Sequence, residues 1–188
     1  MIAGRLGFSL PALLLSSVLS SCAWLTASPD SAAKNVRLRG TDPVGYFTAG
    51  IAMPGRAELT AEHDGATYRF ANETNRRLFI ANPERFMPQF DGFCANRMVY
   101  AQPVAGGTDA FKIIDGRLYL FSSRSEKQYF EMDQGRNLRL ATHYWTSEVR
   151  DSTLWWQSLK RQIFHVPHYK SSDELAAEYR RRLAGNSG

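Results

Sequence analysis

The sequence predicts an α+β fold, and three observations carry that prediction. Asp64-Gly65 and Asp115-Gly116 each stand between short strand-like runs, the pattern of a hairpin closed by a type I′ turn. Asn72, Ser123 and Ser171 stand where helices should begin. Strand and helix signals mix without a β-α-β rhythm, so a parallel sheet is not expected.

The chain opens with Arg5, an apolar run from Leu10 to Leu19, and Leu19-Ser20-Ser21-Cys22. This order resembles a bacterial lipoprotein leader ending in a lipobox. The run is too short for a membrane span, which needs about 20 apolar residues. Residues 1–21 are therefore expected to be a signal peptide. Cys22 is expected to be the lipidated first mature residue, with 22–35 a tether able to reach about 45 Å at ~3.4 Å per residue. The partner this implies is a membrane, engaged through the N-terminal lipid at the periplasmic face of the envelope. An ordinary cleaved signal would instead leave Cys22 a free thiol.

The folded part is expected over 36–146, with a helical C-terminal extension over 147–188. Glu58 to His63 and Ala66 to Phe70 form the first predicted hairpin, and Phe111 to Ile114 and Arg117 to Phe121 the second. Asn72 should cap a helix reaching Asn82 with Leu78 and Phe79 inward, and Pro83 should open a short turn toward Met87. Ser123 and Glu126 have capping-box spacing before a helix bearing Tyr129 and Phe130. A further helix should carry Leu138, Leu140 and Trp145. Beyond it, a helix from Ser152 would place Trp156, Leu159 and Ile163 on one face beside Lys160 and Arg161. That face packs on the domain or, as a basic helix with Trp, lies at a lipid interface. Ser171 and Glu174 should cap a last helix with Leu175, Tyr179 and Leu183 inward, ending at Gly185.

Composition is that of a globular protein, 44% hydrophobic and 12% aromatic, with no evident internal repeat; one domain plus an appendage is expected. Without the leader, which contains only Arg5 among charged residues, 22 basic residues face 18 acidic ones. That modest positive balance is that of a solvated surface, or else suits lipid phosphates or an acidic envelope partner, and gives no reason to expect nucleic acid. The chain lacks Cys-x-x-Cys, His-Glu-x-x-His, Gly-x-Ser-x-Gly, a Walker loop and a dinucleotide fingerprint, and so carries no recognised catalytic motif. His165-Val-Pro-His168 is a poor ligand pair, because Pro167 breaks a helix and residues three apart in an extended segment face opposite ways.

Several motifs in order resemble the exported YHS-domain proteins. They are Gly40-Thr-Asp-Pro-Val-Gly-Tyr-Phe47, His63-Asp-Gly-Ala-Thr-Tyr-Arg-Phe70, Asn82-Pro-Glu84, Gly92-Phe-Cys-Ala95 and Asp115-Gly-Arg-Leu-Tyr-Leu120. The resemblance spans about 36–146 and implies a compact α+β unit related to metal-binding YHS and TRASH modules. It also implies a chemical role for the sulfur at Cys94. The metal-associated modules carry cysteines where this chain has Gly45 and Ala71, so a multi-thiolate site is not expected.

With Cys22 lipidated, Cys94 has no intramolecular partner. It is the candidate ligand for a soft metal, copper or zinc, or a redox thiol cycling through sulfenic acid or a mixed disulfide. Among apolar Phe90, Phe93 and Ala95 it is equally a packed, inert thiol, leaving a non-catalytic interaction module. Arg97 and His63 are the nearest candidates to stabilise a thiolate, with His63 the second candidate ligand and Asp64 its orienting partner. His63 also reads as a turn-flanking surface residue. Asp42, Tyr46 and Tyr68 are the pocket candidates, against plainer roles as a turn cap for Asp42 and as core for the tyrosines.

Overall fold

A computed structural model describes residues 35–152, 159 and 170–185. The α+β prediction holds. Among the described residues, three two-stranded antiparallel sheets carry the strands: β1 (Thr41–Asp42) with β2 (Met53–Pro54), β3 (Arg56–His63) with β4 (Ala66–Phe70), and β5 (Gly107–Ile114) with β6 (Arg117–Phe121). The helices are α1 (Gly45–Thr48), α2 (Glu73–Ala81), α3 (Ala95–Met98), α4 (Arg124–Glu131), α5 (Gln134–Tyr144) and α6 (Ser172–Gly185). Short 3₁₀ turns fall at Pro83–Arg85 and elsewhere, and one π turn, Trp145–Val149, follows α5.

Both predicted turns form. Asp64 and Gly65 have φ of 49° and 69°, and Asp115 and Gly116 have 50° and 71°, the left-handed pair a type I′ turn requires. The predicted caps form as well. Asn72 accepts from the Asn75 amide at 2.8 Å and Ser123 from the Glu126 amide at 3.2 Å. Ser171 and Glu174 complete a reciprocal box at the start of α6. Two inward assignments are corrected: Leu78 and Leu183 are 42% and 52% exposed. The helix expected from Ser152 to Ile163, the His165–His168 segment, the leader and the tether lie outside the described residues, apart from Asn35, Ser152 and Leu159.

The expectation of no internal repeat is also corrected. Residues 36–81 and 88–130 build the same unit twice. Both hairpins skip register at one place, between Arg56 and Thr60 in β3 and between Gly107 and Phe111 in β5. Gly55 donates to the Gly40 carbonyl at 2.8 Å, and Gly106 donates to the Gly92 carbonyl at 2.9 Å. Parallel bridges join Val36 to Thr67 and Pro88 to Leu118. Antiparallel pairs join Thr41 to Pro54 and Phe93 to Ala105. In each unit a capped helix lays a fully buried Phe on the hairpin, Phe79 on Phe70 at 5.2 Å and Phe130 on Phe121 at 5.3 Å. From Gly55 and Gly106 onward the counterparts lie 51 positions apart in sequence.

Each unit has its own core, one around Val44, Phe70 and Phe79 and the other around Met98, Phe121 and Phe130. A third cluster, Tyr46 with Leu118 and Leu120, joins them across the seam. Among the described residues, only the second repeat carries a helical cover. Ala141 of α5 and Leu175 of α6 are buried in its core, and Tyr179 packs edge-on to Tyr129 at 5.8 Å.

Candidate functional site

Each repeat begins with a left-handed turn ending in glycine. Leu38, Arg39 and Gly40 have φ of 52°, 50° and 78°, and Phe90, Asp91 and Gly92 have 56°, 51° and 79°. Left-handed backbone costs a non-glycine residue roughly 1–2 kcal/mol, so each turn holds two strained residues in place. The two turns flank a cavity of about 280 Å³ at the seam between the repeats. The first repeat gives it Arg37, Leu38 and Tyr68, and the second gives Phe93, Gly106 and Leu120. Met87 lines it from the linking segment, and its sulfur accepts the Tyr68 hydroxyl at 3.0 Å. An ion pair between Arg37 and Asp91, 3.3 Å and about half exposed, joins the two turns. Burial raises the Tyr68 pKa above that of an ordinary phenol, and the Arg37 charge partly offsets the rise. The phenol therefore stays a neutral hydrogen-bonding group near neutral pH.

The sequence candidates fare differently. Tyr68 is a wall of the cavity, as expected of a pocket residue. Tyr46 sits behind the wall, 1% exposed, edge-on to Phe111 at 4.6 Å, with its hydroxyl donating to the carbonyl of the lining residue Thr108 at 2.9 Å. Its burial pushes the phenol far above the ordinary range. Asp42 does not line the seam cavity. It is fully buried, with one oxygen accepting from the Val44 and Gly45 amides at 2.8 and 3.3 Å. The other accepts from the Ala71 amide at 2.8 Å and the Asn75 side chain at 2.7 Å. Four donors satisfy a carboxylate that would otherwise be costly to bury. Asp42 pins the opening of the first repeat to its β4–α2 junction.

Cys94 occupies the corresponding place in the second repeat, 52 positions on from Asp42 just as Gly92 is from Gly40. It is fully buried, bridges to Leu120 and receives a hydrogen bond from the Ser122 hydroxyl at 3.5 Å. Neither cation nominated for its thiolate serves it. Arg97 pairs with the buried Glu126 at 2.6 Å and bonds Ser172 at 2.6 Å. His63 lies at the tip of the first hairpin, with Nε2 3.1 Å from Glu84 Oε1 and 3.5 Å from Asp64 Oδ2. The expected Cys94–His63 pairing is not assembled, because the two residues belong to different repeats and share no hydrogen-bond or ion-pair partner.

Family models, curated proteins and solved structures were compared with the chain, and none matches it.

Sequence reasoning missed Arg37, Met87 and Asp91 because the cavity exists only where two repeats meet. A signal was nevertheless present. Asp-Gly-x-x-Tyr-x-Phe followed by an Asn or Ser cap and a Phe seven residues after the cap occurs twice, ending at Phe79 and Phe130. Few identities mark it, and even buried counterparts differ, as Asp42 and Cys94 do.

Proposed function

We propose that the protein is a lipid-anchored, non-catalytic binding module of the bacterial envelope, built on one YHS-like domain made of two similar halves, with its ligand seat in the seam cavity. The observation that supports this best is that both repeats contribute walls to one cavity, and an ion pair from one strained turn to the other lies at its edge. Its lining combines the Tyr68 hydroxyl, the Met87 thioether, the Phe93 ring and two guanidiniums, Arg37 and Arg39, against the single Asp91 carboxylate. Such walls suit a small, largely apolar molecule carrying one anionic group. The buried setting of Cys94 favours a packing role for its sulfur over the soft-metal and redox readings, since both of those need a reachable thiolate.

Titration with small aromatic carboxylates such as benzoate, followed by amide chemical shifts, tests the seat. Saturable shifts confined to Arg37, Tyr68, Phe93 and Gly106 are expected, and Ala105→Trp at the exposed rim should abolish them. Shifts scattered over the surface, or unchanged by Ala105→Trp, would remove the cavity from the proposal. The anchor rests on the Leu19–Cys22 motif and is tested separately. Protein from the membrane fraction should carry a lipid mass on Cys22, and Cys22→Ser should lose that mass and leave the membrane. An unmodified Cys22 in membrane-bound protein would sink the lipoprotein reading.

A further inference from the structure

We propose that His63, Asp64 and Glu84 form a site for a divalent transition-metal ion of zinc's kind. This rests on neither the seam cavity nor Cys94. The three donor atoms lie within 4.8 Å of one another, and among the described residues no other group of three His, Cys, Asp or Glu converges so. Zinc binds imidazole nitrogen and carboxylate oxygen at about 2.0–2.2 Å, so the ligand-to-ligand edges of its tetrahedron are roughly 3.3–3.5 Å. The two imidazole edges here are 3.1 and 3.5 Å. The carboxylate-to-carboxylate edge is left to close, and both carboxylates, 78% and 75% exposed, are free to rotate inward.

The imidazole is the fixed member. It is only 22% exposed and meets the Phe79 ring edge-on, at 6.1 Å and 89°, which holds Nε2 toward the two acids. Asp64 is placed by the left-handed turn residue it occupies, and Glu84 by the 3₁₀ turn that Pro83 opens. Two carboxylates neutralise a divalent charge, and a fourth position stays open to water or a ligand atom from outside. The oxygen-rich donor set favours Zn(II) over Cu(I), which takes thiolate and thioether.

The second repeat supplies an internal control. Its hairpin keeps the turn aspartate as Asp115, yet at the place of His63 it has the buried Ile114. The same turn therefore exists in this chain with and without the imidazole. A structural demand of the hairpin does not account for His63.

Isothermal titration of the purified protein with Zn(II), and visible absorption with Co(II), test the site. One equivalent per chain is expected, with Co(II) bands of four-coordinate intensity. His63→Ala should abolish uptake, Glu84→Gln should weaken it about tenfold or more, and Cys94→Ala should leave it unchanged. Glu84→Gln changes only an exposed side chain, so it remains informative if His63→Ala fails to fold. No saturable uptake by the parent protein, or equal uptake by the parent and Glu84→Gln, would overturn the proposal.

Discussion

The two repeats share a backbone and differ in what fills the same slot. In the first, Asp42 draws four donors onto one carboxylate and ties the opening of the repeat to its β4–α2 junction. In the second, Cys94 takes that place with a single hydroxyl contact, and the polar fastening has moved one turn away. There Glu126, the counterpart of Asn75, accepts from the Asn96 side chain at 2.6 Å and pairs with Arg97. The second repeat also has α5 and α6 laid against its core, whereas the first leaves Leu78 and Ile80 exposed. One backbone thus tolerates two solutions: a local polar knot, or an apolar slot supported by added helices. The cysteine reads most simply as half of that exchange.

The largest expected effect separates the two slots. Asp42→Ala strands up to four donors, three of them in buried hydrogen bonds, each costing about 1–3 kcal/mol, so a loss of about 5 kcal/mol is expected in urea unfolding. Cys94→Ala should cost only about 1–2 kcal/mol, the order of a small buried truncation. In the parent protein an alkylating reagent should reach Cys94 only as the domain unfolds. Comparable losses from both substitutions, or fast labelling of folded protein, would break the contrast and revive the thiol chemistries.

A smaller effect tests whether the repeats are equivalent at all. A Cβ on Gly55 would lie 2.5 Å from the Arg69 carbonyl carbon, and one on Gly106 would lie 2.6 Å from Leu120 Cβ and 2.7 Å from the Gly92 carbonyl oxygen. Gly55→Ala and Gly106→Ala should each cost about 1–3 kcal/mol, through overpacking at the same point of the fold. If only one of the two is destabilised, as measured by thermal melting, the close approach is peculiar to that repeat.

The smallest effect concerns the helical cover laid on the second repeat. Glu178 in α6 is held below the ordinary carboxylate range, chiefly by its hydrogen bond from Lys170 and also by Arg182. Arg182 in turn bonds the Met132 carbonyl at 3.1 Å, beside α4. A depressed folded pKa adds stability above the unfolded value, near 4.3, which is lost as the pH falls through the lower folded value. Below about pH 4, therefore, amide exchange should quicken in α6 before it quickens in either hairpin. Simultaneous loss of protection in α6 and both repeats would show that Glu178 does not govern the docking.

Much of the fold was legible because it is local. A type I′ turn needs two adjacent left-handed residues, and Asp-Gly supplies them; a cap needs an oxygen and an amide three residues on, as at Asn72, Ser123 and Ser171. Which face of a helix is buried depends on what lies opposite, so Leu78 and Leu183 were misplaced while Phe79 and Leu175 were not. The site was less legible still. Asp42 reaches Asn75, 33 residues away, and His63 reaches Glu84, 21 residues away, and nothing in local pattern announces either.

The sequence by itself determined the class, the hairpins, the caps and the motif on which a lipid anchor is proposed, since each depends on interactions within a few residues. Tertiary structure decided that the hairpins belong to two copies of one unit, that a cavity lies between them, and that Cys94 is enclosed while His63 faces two acids. Those outcomes rest on packing and hydrogen bonds between residues far apart in the chain, where a side chain's role is set by its neighbours in space.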